Sequence, residues 1–338
     1  MTNVTIIDIA EALGITPSTV SRALSGNPYV KESTREAVQA KARELGYERN
    51  VHASNLRSGK THTAGIIVPR IDRQFFSSII SAAESILDEA GFSVIICQSH
   101  ENEEDEIRAL KTLTESRVGG IMVSHATGSR SGSHILEAMK RGIKVVQFDR
   151  IFPGFPGSSV TNDDFAGAYN ATMHLIGNGY TRIGAFTGPL GTNMFLNRYD
   201  GYKAALTEAG LPLDENIVFE NSIVRETGYA NAAKAVERGC DAIYSSGDYS
   251  ALGALDFLKE KGIRIPQDFG IVGTANEAFT SLISPALSST EQNPVEIGKK
   301  AALALLRLMN NEIEGENLVV DTELIIRESS DRKHFAKK

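Results

Sequence analysis

The chain has 338 residues, a formal net charge of −7, 41% apolar residues and two cysteines. This size and composition predict a globular protein of two or three domains. No apolar run approaches the roughly 20 residues that span a bilayer, and no basic-then-apolar signal segment opens the sequence, so we expect a cytoplasmic protein. Cys97 and Cys240 lack a second Cys or His at metal spacing and are interpreted as buried reduced thiols. Neither a metal nor a cofactor is expected.

The charge is unevenly distributed along the chain. Residues 1–60 contain eight Lys/Arg against six Asp/Glu, whereas the remaining residues contain 27 against 36. A basic excess confined to the N-terminal segment is compatible with binding of a polyanion there. A chance fluctuation in composition would give the same difference, so the charge alone does not decide the function.

Two short helices are predicted at the start of the chain. Thr5, with an acidic residue three positions later, has the pattern of a capping box for a helix over about 6–13. Gly14 then supplies the positive φ that a sharp turn requires. A second helix runs over about 17–24 with Pro17 in its first position, where proline loses no helical hydrogen bond.

A third helix and the spacing of three residues indicate a helix-turn-helix. The third helix is predicted over about 33–45, with Ser33 as its cap. Ala10, Gly14 and Val20 have the spacing of a helix-turn-helix. Small Ala10 lets the second helix cross close to the first, Gly14 forms the turn, and Val20 packs the second helix on the core. A generic three-helix core with a solvated polar face is the alternative.

The outer face of the second helix is short-chained, hydrogen-bonding and basic. Such a face suits the major groove of DNA, where side chains read the edges of the bases. The residues that it presents are Pro17, Ser18, Thr19, Ser21 and Arg22.

The helical region resembles the lactose-repressor/galactose-repressor (LacI/GalR) family. The resemblance rests on the run from Val4 to Gly26 and on Thr34-Arg35 followed by Ala42-x-Glu44-Leu45-Gly46-Tyr47, and it continues over nearly the whole chain. It implies a DNA-binding transcription regulator, usually a repressor. By position, it assigns base contacts to Pro17, Ser18 and Arg22. It assigns phosphate contacts, which set register, to Thr5, Thr19, Ser21, Asn27 and Thr34.

Residues 49–61 link the helical domain, residues 1–48, to the remainder of the chain. A helix of about eight residues is unstable alone in water, so one interpretation is a flexible linker. The resemblance instead implies a hinge helix that folds on DNA, with Leu56 wedged between base pairs from the minor groove. We therefore predict that Leu56→Ala weakens operator binding while the fold stays intact. The DNA contacts implied in this segment are Asn50, Ala53, Leu56 and Arg57.

From residue 63 onward, strand-like runs alternate with amphipathic helices. The predicted strands lie at about 63–68, 93–97, 120–124, 144–148, 182–186, 217–219, 242–245 and 269–272. This alternation predicts an α/β domain with parallel strands, and the number of units favours two sheets. The resemblance implies two flavodoxin-like lobes of the periplasmic-binding-protein type. We place lobe 1 at residues 62–161 plus 291–320, lobe 2 at 162–290 plus 321–330, and a polar tail at 331–338.

Ligands of open α/β sheets bind beyond the carboxyl ends of the strands. Charged, polar and aromatic residues at these positions suit a carbohydrate-like effector, because charged groups bind hydroxyls and rings cover C–H faces. By strand position and resemblance, the predicted effector residues are Arg73, Phe75, Phe76, Ser124, His125, Asp149, Asn193, Arg198, Asp248, Asn276 and Gln292. The alternatives are structural: Asp149 as a strand-end cap, His125 as a loop residue, and Phe75 and Phe76 as core.

The sequence departs from the family pattern at two places that commonly bind sugar hydroxyls. Gly273-Thr274-Ala275-Asn276 stands where Gly-Tyr/Phe-Asp-Asp/Asn is common, and Gly247-Asp248 stands where Asn-Asp is common. An acidic ligand, such as a uronate or a phosphosugar, is therefore a hypothesis. It rests on three arginines near the strand ends, namely Arg70, Arg73 and Arg198.

Two other functions fit the sequence less well. A transport module would lack a helix-turn-helix, and an enzyme would need a phosphate loop or a nucleophile–base constellation, which the sequence does not show. A helix-turn-helix reads two half-sites as a dimer. Because the polar tail carries no leucine heptad, we expect a homodimer rather than a tetramer.

Overall fold

The computed structural model describes residues 4–47 and 61–335. The chain forms two compact units, divided between Thr61 and His62. Within the described ranges, no helix combines the length and the apolar character that crossing a membrane requires. The four hinge residues named from the sequence lie outside the described residues: Asn50, Ala53, Leu56 and Arg57.

The first unit is built from three helices, α1 (Ile6–Leu13), α2 (Pro17–Leu24) and α3 (Glu32–Glu44). The predicted capping box is present, since the backbone N–H of Thr5 donates to Asp8 at 2.7 Å. Gly14 ends α1 with φ of +62°. The first two helices therefore have the predicted bounds.

The core of this unit contains the residues whose spacing indicated a helix-turn-helix. Ala10 is 2% exposed and Val20 is fully buried, and both pack in one cluster with Ile9, Ala23 and Val38. A larger side chain at Ala10 would push α2 away, because interiors are close-packed.

The predicted cap of α3 is wrong. The helix begins at Glu32, one residue before Ser33, and its N-cap position is Lys31, whose side chain makes no capping hydrogen bond. The guanidinium of Arg35 donates instead to the backbone oxygen of Asn27 at 3.2 Å. This contact ties the first turn of α3 to the preceding loop.

In the second unit, lobe 1 contains a six-stranded parallel sheet of order β11-β5-β4-β3-β1-β2. Its strands are β1 (Thr63–Val68), β2 (Ser93–Gln98), β3 (Gly120–Val123), β4 (Lys144–Phe148), β5 (Ser158–Asn162) and β11 (Asn317–Val320). Its helices are α4 (Gln74–Glu89), α5 (Glu103–Glu115), α6 (Ser133–Lys140) and α11 (Pro294–Met309). Apolar runs such as β1 are buried because helices cover both faces of the sheet.

Lobe 2 contains a second six-stranded sheet of order β12-β10-β9-β8-β6-β7. Its strands are β6 (Ile183–Phe186), β7 (Val218–Phe219), β8 (Ala242–Ser245), β9 (Gly270–Thr274), β10 (Ser288–Glu291) and β12 (Glu323–Ile325), of which β12 is antiparallel to its neighbour. Its helices are α7 (Asp164–Gly177), α8 (Asn193–Glu208), α9 (Arg225–Glu237) and α10 (Asp248–Glu260), and the short α12 (Arg332–Phe335) follows.

The chain passes between the lobes after β5, after β10 and after β11. Strand β5 extends to Asn162 and β10 to Glu291, so each ends one residue beyond the limit placed from the sequence. Four strands, β5, β10, β11 and β12, were not predicted. The carboxyl ends of the central strands in both sheets face the space between the lobes, where the cleft lies.

Both cysteines are free thiols, as predicted. Cys240 is buried, whereas Cys97 on β2 is only half-buried, so the predicted burial holds in full for Cys240 alone. Burial raises the pKa of both thiols, that of Cys240 to about 11. A thiol with a raised pKa is a poor nucleophile at neutral pH.

Candidate functional site

The outer face of α2 presents the side chains predicted to read bases. Pro17, Ser18 and Arg22 are exposed. The Ser18 hydroxyl shares a 2.8 Å hydrogen bond with the hydroxyl of Thr16, the residue that caps α2. Within the part of the chain that the structure describes, the guanidinium of Arg22 has no hydrogen-bond or ion-pair partner, so its donors are free for an external acceptor.

The residues predicted to hold phosphates lie at helix starts and in the loop after α2, except for Ser21, which lies in the middle of α2. The Thr5 hydroxyl donates to Asp8 at 2.8 Å, and the side-chain oxygen of Asn27 accepts from the backbone N–H of Tyr29 at 3.0 Å. Thr34 lies in the first turn of α3 and is half-buried, as are Thr19 and Ser21 on α2. Helix starts are suited to phosphate because their free N–H groups and dipoles favour anions.

A cleft of about 170 Å³ lies between the two lobes. Seven of the predicted effector residues line it: Arg73, Phe75, Phe76, Asp149, Arg198, Asp248 and Gln292. Phe75 and Phe76 also belong to the buried core of lobe 1, so the structural alternative is confirmed for both rings, while their contact with a ligand stays a prediction. The remaining four residues, Ser124, His125, Asn193 and Asn276, do not line the cleft.

Arg198 on α8 is the most buried basic group of the cleft, with 3% of its side chain exposed. Its Nε donates to Asp164 at 2.7 Å, and its Nη1 donates to the backbone oxygen of Ser246 at 2.8 Å. Its Nη2 is buried and has no hydrogen-bond partner among the described residues. A buried charged donor left unsatisfied costs free energy, so Nη2 is a donor with an unused hydrogen bond at the cleft.

Asp149 faces the cleft from the end of β4, in the left-handed region at φ of +59°. Its Oδ2 accepts a 3.1 Å hydrogen bond from the Ser124 hydroxyl, which gives Ser124 a supporting role below the cleft. Burial raises the pKa of Asp149 to about 6, although the charges of Arg150 and Arg198 oppose the shift. Arg150 in turn binds the carboxylate of Glu101 at 2.5 Å.

Asp248, the first residue of α10, is held by lobe 2 itself. Its carboxylate accepts from the Ser289 hydroxyl at 2.7 Å and from the backbone N–H of Glu277 at 2.8 Å. Burial raises its pKa to about 7. A Cβ at Gly273 would lie 2.1 Å from the Asp248 Oδ1, so glycine is required there for the carboxylate to fit.

Among the residues that the structure describes, three contacts join the lobes across the cleft. The guanidinium of Arg73 stacks on the ring of Tyr249, and the Gln74 side-chain oxygen accepts from the backbone N–H of Ala278 at 2.8 Å. The third contact involves a predicted effector residue, since the Asn193 side-chain oxygen accepts from Ile151 N–H at 3.0 Å. Asn193 therefore holds the lobes together in this structure and is not directed at the cleft.

His125 and Asn276 bind within their own lobes. His125 is 3% exposed and contacts Glu106 and Gln147. The Asn276 side chain donates to Glu291 at 2.8 Å and accepts from Arg327 at 2.7 Å. Gln292 at the crossover donates to Asn162 at 3.1 Å while lining the cleft.

Several lining residues were not among the predicted effector residues. Four of these are apolar and have no polar side chain that would mark them as ligand contacts from the sequence: Met194, Phe195, Ile223 and Val224. Tyr249 had a usable signal, because it is an aromatic residue directly after a predicted strand-end carboxylate. Glu101 follows β2 and was overlooked, although the same strand-end rule applies to it.

Comparisons with known proteins agree with this architecture. Residues 5–50 match the model of bacterial regulatory proteins of the lacI family, and residues 61–328 match that of periplasmic binding proteins and the sugar binding domain of the LacI family. Catabolite control protein A of Priestia megaterium is 32% identical over 320 residues, covering 94% of this chain and 96% of that protein.

Solved structures give the same result. The transcription regulator CcpA of Lactococcus lactis is 31% identical, with a TM-score of 0.75 over 80% of this chain and 100% of that one. The Lac repressor dimer bound to operator shares the fold, with a TM-score of 0.87 over 97% of this chain and 99% of that one at 24% identity. The chain belongs to the LacI family of bacterial transcription regulators, with an N-terminal DNA-binding helix-turn-helix and a periplasmic-binding-protein-like sensing domain.

Proposed function

We propose that this regulator is a cytoplasmic repressor that binds operator DNA as a homodimer and whose affinity for DNA is set by a neutral polyhydroxylated ligand in the cleft. The observation that carries the ligand part is the buried Nη2 of Arg198, which lacks a partner among the described residues in a cleft walled by aromatic rings. The chain acts by binding, not by turnover.

The DNA part of the proposal assigns base reading to the exposed face of α2. Arg22 can bind the O6 and N7 atoms of guanine in bidentate fashion, while Pro17 offers an apolar contact. Two copies of α2 related by a two-fold axis would read two half-sites. We assign residues 1–48 to DNA binding, 49–61 to the hinge, and the two lobes to residues 62–161 plus 291–320 and 162–290 plus 321–330, with Asn162 moved to lobe 1 and Glu291 to lobe 2 because their strands belong there.

The charges around the cleft favour a neutral ligand over the acidic one hypothesised from the sequence. Arg70 forms a two-point ion pair with Asp72, Arg198 binds Asp164, and Arg150 binds Glu101. Arg73 stacks on Tyr249 and forms no ion pair among the described residues. Because the other three positive charges are compensated within the protein, an acidic ligand would gain little from them and would approach the buried carboxyl of Asp149. A related LacI-family regulator from Enterococcus faecium, 30% identical, was solved with bound ribose.

The contacts between lobes provide a mechanism for coupling. Arg73, Gln74 and Asn193 reach across the cleft only when the lobes are close. A ligand that binds both lobes favours this arrangement over an open one by its difference in affinity for the two. The spacing of the segments that lead to the DNA-binding unit then changes, which alters operator affinity.

The proposal is tested with purified full-length protein and genomic DNA fragments at one stated salt concentration. Retained fragments are titrated with and without a panel of neutral sugars and matched sugar acids, and ligand binding is measured by calorimetry. We expect specific retention of a fragment with a two-fold site and a change in its affinity with a neutral sugar. Binding of acids alone would overturn the ligand assignment, and no retention of any fragment would overturn the DNA assignment.

A further inference from the structure

Three metal-ligating side chains meet inside lobe 1, apart from the cleft. The Oε1 of Glu106 on α5 lies 2.8 Å from His125 Nδ1 and 2.7 Å from His134 Nε2. The three atoms all lie within 4.8 Å of one another. Glu106 is fully buried, and the side chains of His125 and His134 are 3% and 10% exposed. The proposed effector site uses none of them.

Neighbouring groups hold the carboxylate in place. The second oxygen of Glu106 accepts from the backbone N–H of Ala126 at 2.7 Å and from the Ser129 hydroxyl at 3.0 Å. These bonds leave Oε1 facing the two histidines. One oxygen of the Glu106 carboxylate is therefore occupied by fixed donors, and the other is shared by the two histidine rings.

The orientation of His125 is fixed from its other side. The Gln147 side-chain oxygen accepts from the backbone N–H of Phe152 at 2.9 Å, so the atom that faces His125 Nε2 at 2.9 Å is an acceptor. Nε2 therefore carries a proton, and the remaining nitrogen, Nδ1, points at Glu106. In a neutral ring, the lone pair of Nδ1 would face an anion, so the arrangement requires a cation at this point, either a second proton or a metal ion.

We propose that lobe 1 binds one divalent transition-metal ion of the zinc class through Glu106, His125 and His134. Two imidazole nitrogens and one carboxylate oxygen are an established ligand set for zinc. Metal-bound histidines usually donate their other N–H to an oxygen, which Gln147 supplies for His125. Metal–ligand bonds of about 2.0–2.2 Å require the rings to move slightly apart, which His134 in the first turn of the short helix α6 can do.

The site has an access route from solvent. His134 also lines a surface pocket of about 340 Å³ between α5 and α6. An ion can enter there, and a water molecule can occupy the fourth position of a tetrahedral site. The pocket lies on the lobe surface, so loading does not require the cleft to open.

The test uses untagged full-length protein stripped with a chelator. Zn²⁺ is titrated in competition with a chromophoric chelator, and Co²⁺ replaces it so that its visible absorption reports coordination geometry. We expect one ion per chain, a tetrahedral cobalt spectrum, and an X-ray absorption signal from two imidazoles and one carboxylate. Absence of stoichiometric binding, or a spectrum of octahedral cobalt, would overturn the proposal.

Variants separate this site from surface histidines. His134→Gln keeps a donor for Glu106 but removes a ligand. Gln147→Ala keeps all three ligands and removes the outer partner of His125, together with the acceptor of the Phe152 N–H. We expect Gln147→Ala to weaken Zn²⁺ binding about 10- to 100-fold and His134→Gln to weaken it at least as much, with thermal unfolding of the stripped variants checked for a retained fold. His100→Gln, at an exposed histidine beside Asp105, is the matched control and should bind as the parent does. Equal binding by all three variants would place the ion elsewhere.

Discussion

The guanidinium carbon of Arg73 in lobe 1 lies 3.7 Å from the centroid of the Tyr249 ring in lobe 2. Since the partners come from different lobes, this cation–π contact stabilises only the closed arrangement of the cleft. Such contacts contribute about 0.5–1 kcal/mol at exposed sites and about 2 kcal/mol when desolvated. The closed form, and hence the affinity for a ligand that needs it, depends partly on this pair.

We predict that Tyr249→Leu weakens ligand binding roughly fivefold, which corresponds to about 1 kcal/mol. Tyr249→Phe is the matched control, because phenylalanine keeps the ring face and should bind within a factor of about two of the parent. Calorimetric titration with the sugar identified from the panel measures both. Equal losses in the two variants would show that the hydroxyl, and not the ring face, matters.

The pair of Arg198 and Asp164 predicts separate effects on stability and on ligand binding. Arg198→Met leaves the carboxylate of Asp164 buried without its partner, which costs about 3–5 kcal/mol of the free energy of unfolding. Adding Asp164→Asn removes the stranded charge, so the double variant should recover much of the lost stability. Urea titrations of the sensing domain's unfolding measure both changes.

Ligand affinity should not recover in the double variant, because the donor at Arg198 Nη2 is absent in both. Calorimetry on the double variant is therefore the decisive measurement. If it bound the sugar as the parent does, the role assigned to Arg198 in the cleft would be wrong, and the residue would be a structural one.

Substitution of Arg22 on α2 should change DNA binding without changing ligand binding or stability. Arg22→Ala should weaken operator binding by about 1–3 kcal/mol and relax the preference at one base pair. Arg43→Ala removes the same charge from an exposed position near the end of α3 and controls for the loss of charge. Gel-shift titrations at one salt concentration, with operators changed one base pair at a time, make the comparison. A uniform loss over all sequences would reassign Arg22 to phosphate binding.

The elements that the sequence predicted well are those with an unambiguous local pattern. β1 is a run of apolar residues, and α1 begins with a capping box, so both have the predicted starts and ends. β5 and β10 were missed because their sequences, Ser158–Asn162 and Ser288–Glu291, are rich in serine and threonine. Their serines are buried and hydrogen-bonded inside the sheet, as Ser289 is to Asp248, and no local pattern predicts that.

The candidate site shows the same limit. The rule that ligands lie at the carboxyl ends of parallel strands, together with the family resemblance, led to Arg198, Asp149 and Asp248. It does not tell which polar side chain faces the cleft and which is bound within the protein. His125 binds Glu106, 19 positions away, and Asn193 binds Ile151, 42 positions away. Such long-range pairs are set by the tertiary fold.

Asp248 predicts a pH dependence of stability in the sensing domain. An aspartate in the unfolded chain has a pKa near 3.9, whereas burial, opposed by the hydrogen bonds from the Glu277 N–H and the Ser289 hydroxyl, raises the pKa of Asp248 in the folded protein to about 7. Between these values Asp248 binds more protons in the folded state than in the unfolded state, so its contribution to the free energy of unfolding falls as pH rises and levels off above about pH 7. Asp149, raised to about 6, acts in the same direction.

Asp248→Asn isolates this contribution. The amide can accept from the backbone N–H of Glu277 and donate to the hydroxyl of Ser289, so the neutral geometry is preserved while titration is lost. The stability of this variant relative to the parent should therefore rise from about pH 4 to about pH 7, as measured by urea unfolding. Asp88→Asn, at an exposed site on α4, should show no such trend. A difference in stability that stays constant over this range would mean that Asp248 is ionised in the folded protein throughout. The hydrogen bonds from Ser289 and the N–H of Glu277 would then stabilise the buried carboxylate.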